Sequence, residues 1–145
     1  MKKYHTILVA VELDAKADSR IIIKARELRD HYQASLTLLH VVEHLSNYGA
    51  AYGVSAGVDI EEILVNEARV SVSNLAKQLN IPEEQQMVKV GPATQVIIDV
   101  AQEKQADLIV IGSHGRHGVR LLLGSTANGV LHGANCDVLA VRLKD

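Results

Sequence analysis

The chain has 145 residues, 48% hydrophobic and 22% charged, a balance that supports a packed core and excludes a disordered chain. Fifteen basic and seventeen acidic residues are dispersed with a net charge of −2, so no basic stripe holds nucleic acid; without Phe or Trp, four scattered Tyr make no base-stacking platform. No run approaches the ~18–20 apolar residues of a membrane span, and the single Cys136 cannot close an internal disulfide, which fits a reducing cytoplasm.

Lys2 and Lys3 precede an apolar run, Ile7–Val11, that is too short for a signal peptide and is ended by Glu12 and Asp14. It belongs instead to the first of five β-branched, apolar strands: His5–Val11, Ser35–Val42, Gln86–Val90, Asp107–Ile111 and Asp137–Leu143. Between the first two, Ile22, Ala25, Leu28 and Tyr32 recur at helical spacing and predict a helix over Ser19 to Tyr32, capped by Asp18 and Ser19. After the second strand, Glu43–Val58 carries Gly49, Gly53 and Gly57 and no helical pattern; it reads as a surface loop or as a lid over the strand ends. A second helix runs over Asp59 to Leu79, with Asp59 and Glu62 spaced as a capping box. Gly91-Pro92 opens a third, Pro92 in its first position and Val96, Ile97, Val100 and Ala101 on its buried face. A short last helix starts near Ser125 and stops at Gly133. His40 lies inside the second strand and reads as a packed core histidine, and Cys136 as a small buried hydrophobe.

Strands alternating with helices, each strand nearly continuous in apolar residues, predict a parallel sheet covered on both faces: one doubly wound α/β domain over residues 1–145. In such a fold ligands bind at the carboxyl ends of strands where the strand order reverses, here between the first and fourth strands. The fourth strand leads into Gly112-Ser-His-Gly-Arg-His-Gly-Val-Arg-Leu-Leu-Leu-Gly-Ser-Thr126, and Glu12 stands at the end of the first. A glycine-rich turn that enters a helix lets bare N–H groups converge, and with the helix dipole they favour an anion such as phosphate. The loop is not a dinucleotide fingerprint, because the first strand is followed by Glu-Leu-Asp-Ala-Lys-Ala-Asp without a glycine. It contains neither a Walker A lysine nor a Gly-x-Ser-x-Gly elbow.

Taken together, Ile7-Leu-Val-Ala-Val11, Leu38-Leu-His-Val-Val42, Ala106-Asp-Leu-Ile-Val-Ile-Gly-Ser-His-Gly-Arg-His-Gly118, Leu121-Leu-Leu-Gly-Ser-Thr126 and Ala134-Asn-Cys-Asp-Val-Leu-Ala-Val-Arg142 resemble the universal stress protein family along essentially the whole chain. The resemblance implies a five-stranded, Rossmann-like parallel sheet of order 3-2-1-4-5 and a cytoplasmic role in stress survival. It also implies a homodimer through the last strand, Asp137 to Leu143, whose edge position would itself invite pairing with a second copy.

One branch of the family binds ATP or AMP through Gly, two residues, Gly, nine residues, Gly, then Ser or Thr. Gly112, Gly115, Gly124 and Ser125 match, but eight residues, not nine, separate Gly115 from Gly124, and the acid ending the first strand is Glu12 rather than Asp. By resemblance Ala10, Val11 and Val41 surround an adenine, Glu12 approaches the adenosine, and Ile111, Gly112 and Gly115 line ribose and first phosphate. Gly124, Ser125 and Thr126 take the phosphates. Arg116 and Arg120 suit phosphate oxygens, or simply face solvent. Mg²⁺ is implied only with ATP. His114 and His117 read as polar loop residues rather than as a zinc site, and His114 lacks a sequence-visible partner for proton chemistry. The expected function is an adenine-nucleotide-binding regulator or sensor of stress. Its rivals are a dimeric interaction protein with a vestigial site and, last, a slow ATPase for which no catalytic residue can be named.

Overall fold

The computed structural model describes residues 3–43, 59–114 and 124–143. Their elements, in chain order, are β1 (Thr6–Ala10), α1 (Ala15–Tyr32), β2 (Ser35–Val42), α2 (Ile60–Leu79), a 3₁₀ turn (Glu83–Gln85), β3 (Gln86–Val90), α3 (Ala93–Glu103), β4 (Leu108–Ser113), α4 (Ser125–Gly133) and β5 (Asp137–Arg142). The strands form one parallel sheet in the order β3-β2-β1-β4-β5. Gly115, Arg116, His117, Arg120 and nearly all of the Glu43–Val58 segment lie outside the described residues.

Strand alternation sorts the core onto two faces. Ile7 and Val9 of β1, Leu36 and Leu38 of β2, and Leu108 and Val110 of β4 pack beneath α1 and α2 with Ile21, Ala25, Val72 and Leu79. Leu8 and Ala10, Leu39, and Ile109 and Ile111 point the other way, against Ile97, Val100, Ala127 and Val130 of α3 and α4. Both faces of the three central strands are therefore buried, which is why they read as continuous apolar runs. At the amino ends of the strands the Asp107 carboxylate accepts the N–H groups of His5 (2.9 Å) and Thr6 (3.1 Å), and the Tyr4 hydroxyl donates to Asp137 at 2.7 Å. These contacts tie β1 to β4 and β5.

Helix starts follow local chemistry more closely than apolar spacing does. The first helix begins at Ala15, four residues before the expected Ser19, and its N-cap is Asp14, whose carboxylate accepts from Ala17 N–H. Asp18, expected as a cap, is instead buried inside the first turn. Asp59 caps α2 by accepting from Glu62 N–H at 3.1 Å. Pro92 is the N-cap of α3 rather than its first residue, and Gly133 closes α4 from within, with Ala134 as the C-cap. On α3, Ile97, Val100 and Ala101 are buried as expected, and Val96 is partly so.

Candidate functional site

The site is built at the carboxyl ends of β1 and β4, the neighbouring strands from which the chain winds in opposite directions. Beyond β1 the backbone is held from two sides. Val11 N–H donates to Leu39 C=O at 2.9 Å, and the Val11 carbonyl accepts from His40 Nδ1 at 2.9 Å. Because that carbonyl can only accept, Nδ1 carries the proton. Glu12 N–H donates to the Asp18 carboxylate at 2.8 Å. Leu13 then adopts a left-handed conformation, φ 62°, costly for a side chain of this kind and stabilised by the surrounding contacts. Asp18 is 4% exposed, and burial pushes its carboxyl pKa above the usual range. The backbone hydrogen bonds from Glu12 and Leu13 oppose that rise, while the neighbouring Glu12 charge adds to it.

This clamp aims Glu12 at β4. Both of its carboxylate oxygens lie 2.8 Å from His114 Nε2, immediately past the end of that strand. Gly112 sits in a tight place: a Cβ there would meet the end of the Leu143 side chain and stand 3.1 Å from Glu12 Oε2 and from Ile21 Cδ1, so these side-chain ends would have to shift. At Gly124 the backbone itself calls for glycine. It is the N-cap of α4 at φ 91°, ψ 151°, a backbone region essentially reserved for glycine, and makes no side-chain cap. The first N–H groups of α4 are left without an intrahelical acceptor.

Between these elements lies a cavity of about 460 Å³, a size typical of small-molecule sites. Of the eleven residues singled out in the sequence, nine line it: Ala10, Val11, Glu12, Val41, Ile111, Gly112, Gly124, Ser125 and Thr126. Gly115 and Arg116 are the two outside the described residues. Leu39, His40, Ala93, Ile97, His114 and Ala127 complete the wall. The lining combines apolar residues with Glu12, His40, His114, Ser125 and Thr126. An adjoining hollow of about 900 Å³ along α2 shares His40, Val41, Ala93 and Thr126 with it.

Two sequence expectations change here. His40 is half-buried and lines the cavity rather than disappearing into the core. A titratable residue two positions from the carboxyl end of a mainly apolar strand was the available signal. His114 does have a partner, Glu12, which is 102 positions away in sequence and adjacent only because β1 and β4 are neighbours. Cys136 packs partly buried against the α3–α4 face, and burial pushes its thiol pKa up, away from the reactive thiolate.

Fold and cavity together define a doubly wound α/β protein with a small-molecule-sized site at its topological switch point. The chain belongs to the universal stress protein family, whose family model matches residues 3–142. It is 56% identical over 144 residues to universal stress protein A homolog 2 of Coxiella burnetii, covering 99% of each chain. Among solved structures it resembles the universal stress protein UspA of Lactobacillus plantarum, with a TM-score of 0.72, 26% identity and coverage of 98% of this chain and 100% of that one. It also resembles the universal stress protein of Archaeoglobus fulgidus, a structure solved in complex with dAMP, with a TM-score of 0.65, 25% identity and coverage of 95% and 98%.

Proposed function

We propose that this chain is a cytoplasmic, homodimeric stress protein that binds an adenine nucleotide, AMP or ATP, and acts as a regulator or sensor. The observation that carries the reading is the convergence of nine sequence-selected residues on one cavity into which the start of α4 opens. The chemistry of that cavity fits such a ligand. Ala10, Val41, Ile97 and Ile111 offer an apolar wall to a flat purine, and the Glu12 carboxylate accepts from hydroxyl or amino donors. The uncapped α4 N-terminus, with Ser125 and Thr126, suits a phosphate through N–H donors and the helix dipole. The dAMP complex of the Archaeoglobus fulgidus relative supports a nucleotide of this size. Mg²⁺ enters the reading only with ATP.

The dimer proposal rests on β5, which lies at the sheet edge with Val138, Leu139, Ala140 and Val141 half-buried rather than covered. The eight-residue interval between Gly115 and Gly124 supports a second reading, a dimeric interaction protein whose site no longer takes nucleotide. Equilibrium dialysis against labelled AMP and ATP separates the two. Saturable binding of AMP supports the nucleotide reading, and retention of neither ligand at millimolar concentration supports the vestigial one.

A further inference from the structure

Next to the nucleotide cavity, the adjoining hollow of about 900 Å³ lies between α2 and the end of β2. Helical spacing builds its outer side. Ile60, Leu64, Glu67, Ala68 and Ser71 fall three or four positions apart, so they share one stripe of α2. The small side chains of Ala68 and Ser71 leave room between the helix and the strand end that larger ones would fill. Leu13, Val41 and Val42 continue the apolar surface on the inner side. Leu64 remains 37% exposed, so part of this surface is open to water and gains free energy when covered.

Charge separates the two spaces. The first holds the start of α4, which suits phosphate. The second is lined by two exposed carboxylates, Glu43 and Glu67, and by no Lys or Arg among the described residues. A second phosphate there would meet like charge. An alkyl chain ending in a protonated amine would find apolar contact along its length and carboxylates near its tip. The two spaces meet at His40, Val41, Ala93 and Thr126. Gly124 and Ser125, at the phosphate end, line only the first, whereas Val41, expected beside the adenine, lines both.

We infer that the hollow along α2 is a second subsite, continuous with the first, for an alkylamine chain carried on the base of the bound nucleotide. The inference rests on the nucleotide reading above and adds to it a ligand class: adenine nucleotides substituted on the base, preferred over bare AMP and over ligands with a second anionic group at that end. Burial of the alkyl chain supplies most of the added affinity. The exposed carboxylates supply a salt-sensitive preference for the amine.

The test is calorimetric titration of the unaltered chain with AMP, N⁶-(6-aminohexyl)-AMP and 8-(6-aminohexylamino)-AMP, each derivative also with its amine acetylated. Leu64→Gln and Glu67→Gln, at exposed positions of α2 outside the nucleotide cavity, are titrated alongside. At least one aminohexyl derivative should bind about tenfold more tightly than AMP, the worth of roughly two buried methylenes once the ordering of the chain is subtracted. Leu64→Gln should cut that gain severalfold and leave AMP affinity unchanged. Acetylation should cost about threefold at low salt in the unaltered chain and less in Glu67→Gln. If neither derivative binds more tightly than AMP, the inference is overturned and the nucleotide reading stands. A gain that both substitutions leave untouched, or that acetylation does not reduce, also overturns it, because the chain then lies elsewhere or meets no carboxylate. Binding of neither AMP nor its derivatives overturns the nucleotide reading, and the inference with it.

Discussion

Replacing Gly124 with Ala isolates the backbone geometry on which the proposed anion site depends. A methyl group at this position meets nothing closer than 3.6 Å, so there is no steric collision to absorb. The difficulty is the conformation itself, φ 91° and ψ 151°, which costs a residue with a Cβ about 1–3 kcal/mol. If the variant keeps the native turn, that strain is subtracted from global stability and appears in urea denaturation. If the turn relaxes instead, stability is largely spared, but binding must restore the turn at the same cost, and AMP affinity falls by roughly 5- to 150-fold. Calorimetric titration and denaturation together therefore account for the whole effect. Gly133→Ala on the same helix is the control. Its Cβ would lie 2.6 Å from Ile98 Cδ1, the movable tip of a side chain away from the cavity, so a small loss of stability with unchanged AMP affinity is expected. A Gly124→Ala protein matching the unaltered chain in both stability and AMP affinity would refute the role assigned to this turn.

Three further perturbations address other parts of the structure. Asp18→Ala removes a buried acceptor from the Glu12 N–H and should lower stability by about 1–3 kcal/mol in denaturant titrations. Because the folded-state pKa of Asp18 is raised, the native protein retains that proton where the unfolded chain has lost it, so this group makes stability fall as pH rises from the ordinary carboxylate range to the raised value. The slope should flatten in Asp18→Ala, and an identical pH profile would contradict the assignment. The Tyr4 phenol, donating to the Asp137 carboxylate, is pushed up to about 12, so an ultraviolet titration should show a tyrosine step well above the ordinary phenol value. The stabilisation from this contact is present below the ordinary phenol value and lost as pH rises toward 12. Tyr4→Phe should remove the step near 12, and loss of a step at the ordinary phenol value instead would show the contact to be absent in solution. Ala140→Lys places like charges at the β5 edge and should yield a monomer by sedimentation with an unchanged circular dichroism spectrum; a persisting dimer would place the interface elsewhere.

The sheet was legible in the sequence because its signal is short-range. Runs such as Ile7–Val11 and Leu108–Ile111 are apolar on consecutive positions only when both faces are covered, and that condition holds for the central strands β1 and β4. The beginning of α1 was not legible. Ala15 to Asp18 carries no helical apolar pattern, and the left-handed Leu13 that releases the chain from β1 has no sequence signature of the glycine kind. Topology put the Gly112 loop beside Glu12, whereas Ala10 and Thr126 came from the family resemblance; all four line the cavity. Its pairings did not follow. Glu12 with His114, Asp18 with the Glu12 N–H and His40 with the Val11 carbonyl depend on side-chain directions that the sequence does not encode locally. Ala93 and Ile97 were overlooked as lining residues because α3 packs over the site from the neighbouring βα unit.

The central claim is that the cavity at the β1–β4 switch point holds an adenine nucleotide, and equilibrium dialysis of the purified chain against labelled AMP tests it most directly. The account predicts saturable binding near one AMP per chain, displaced by unlabelled AMP and weakened in Gly124→Ala. No retention of AMP at millimolar concentration, by a chain whose circular dichroism shows it to be folded, would contradict it.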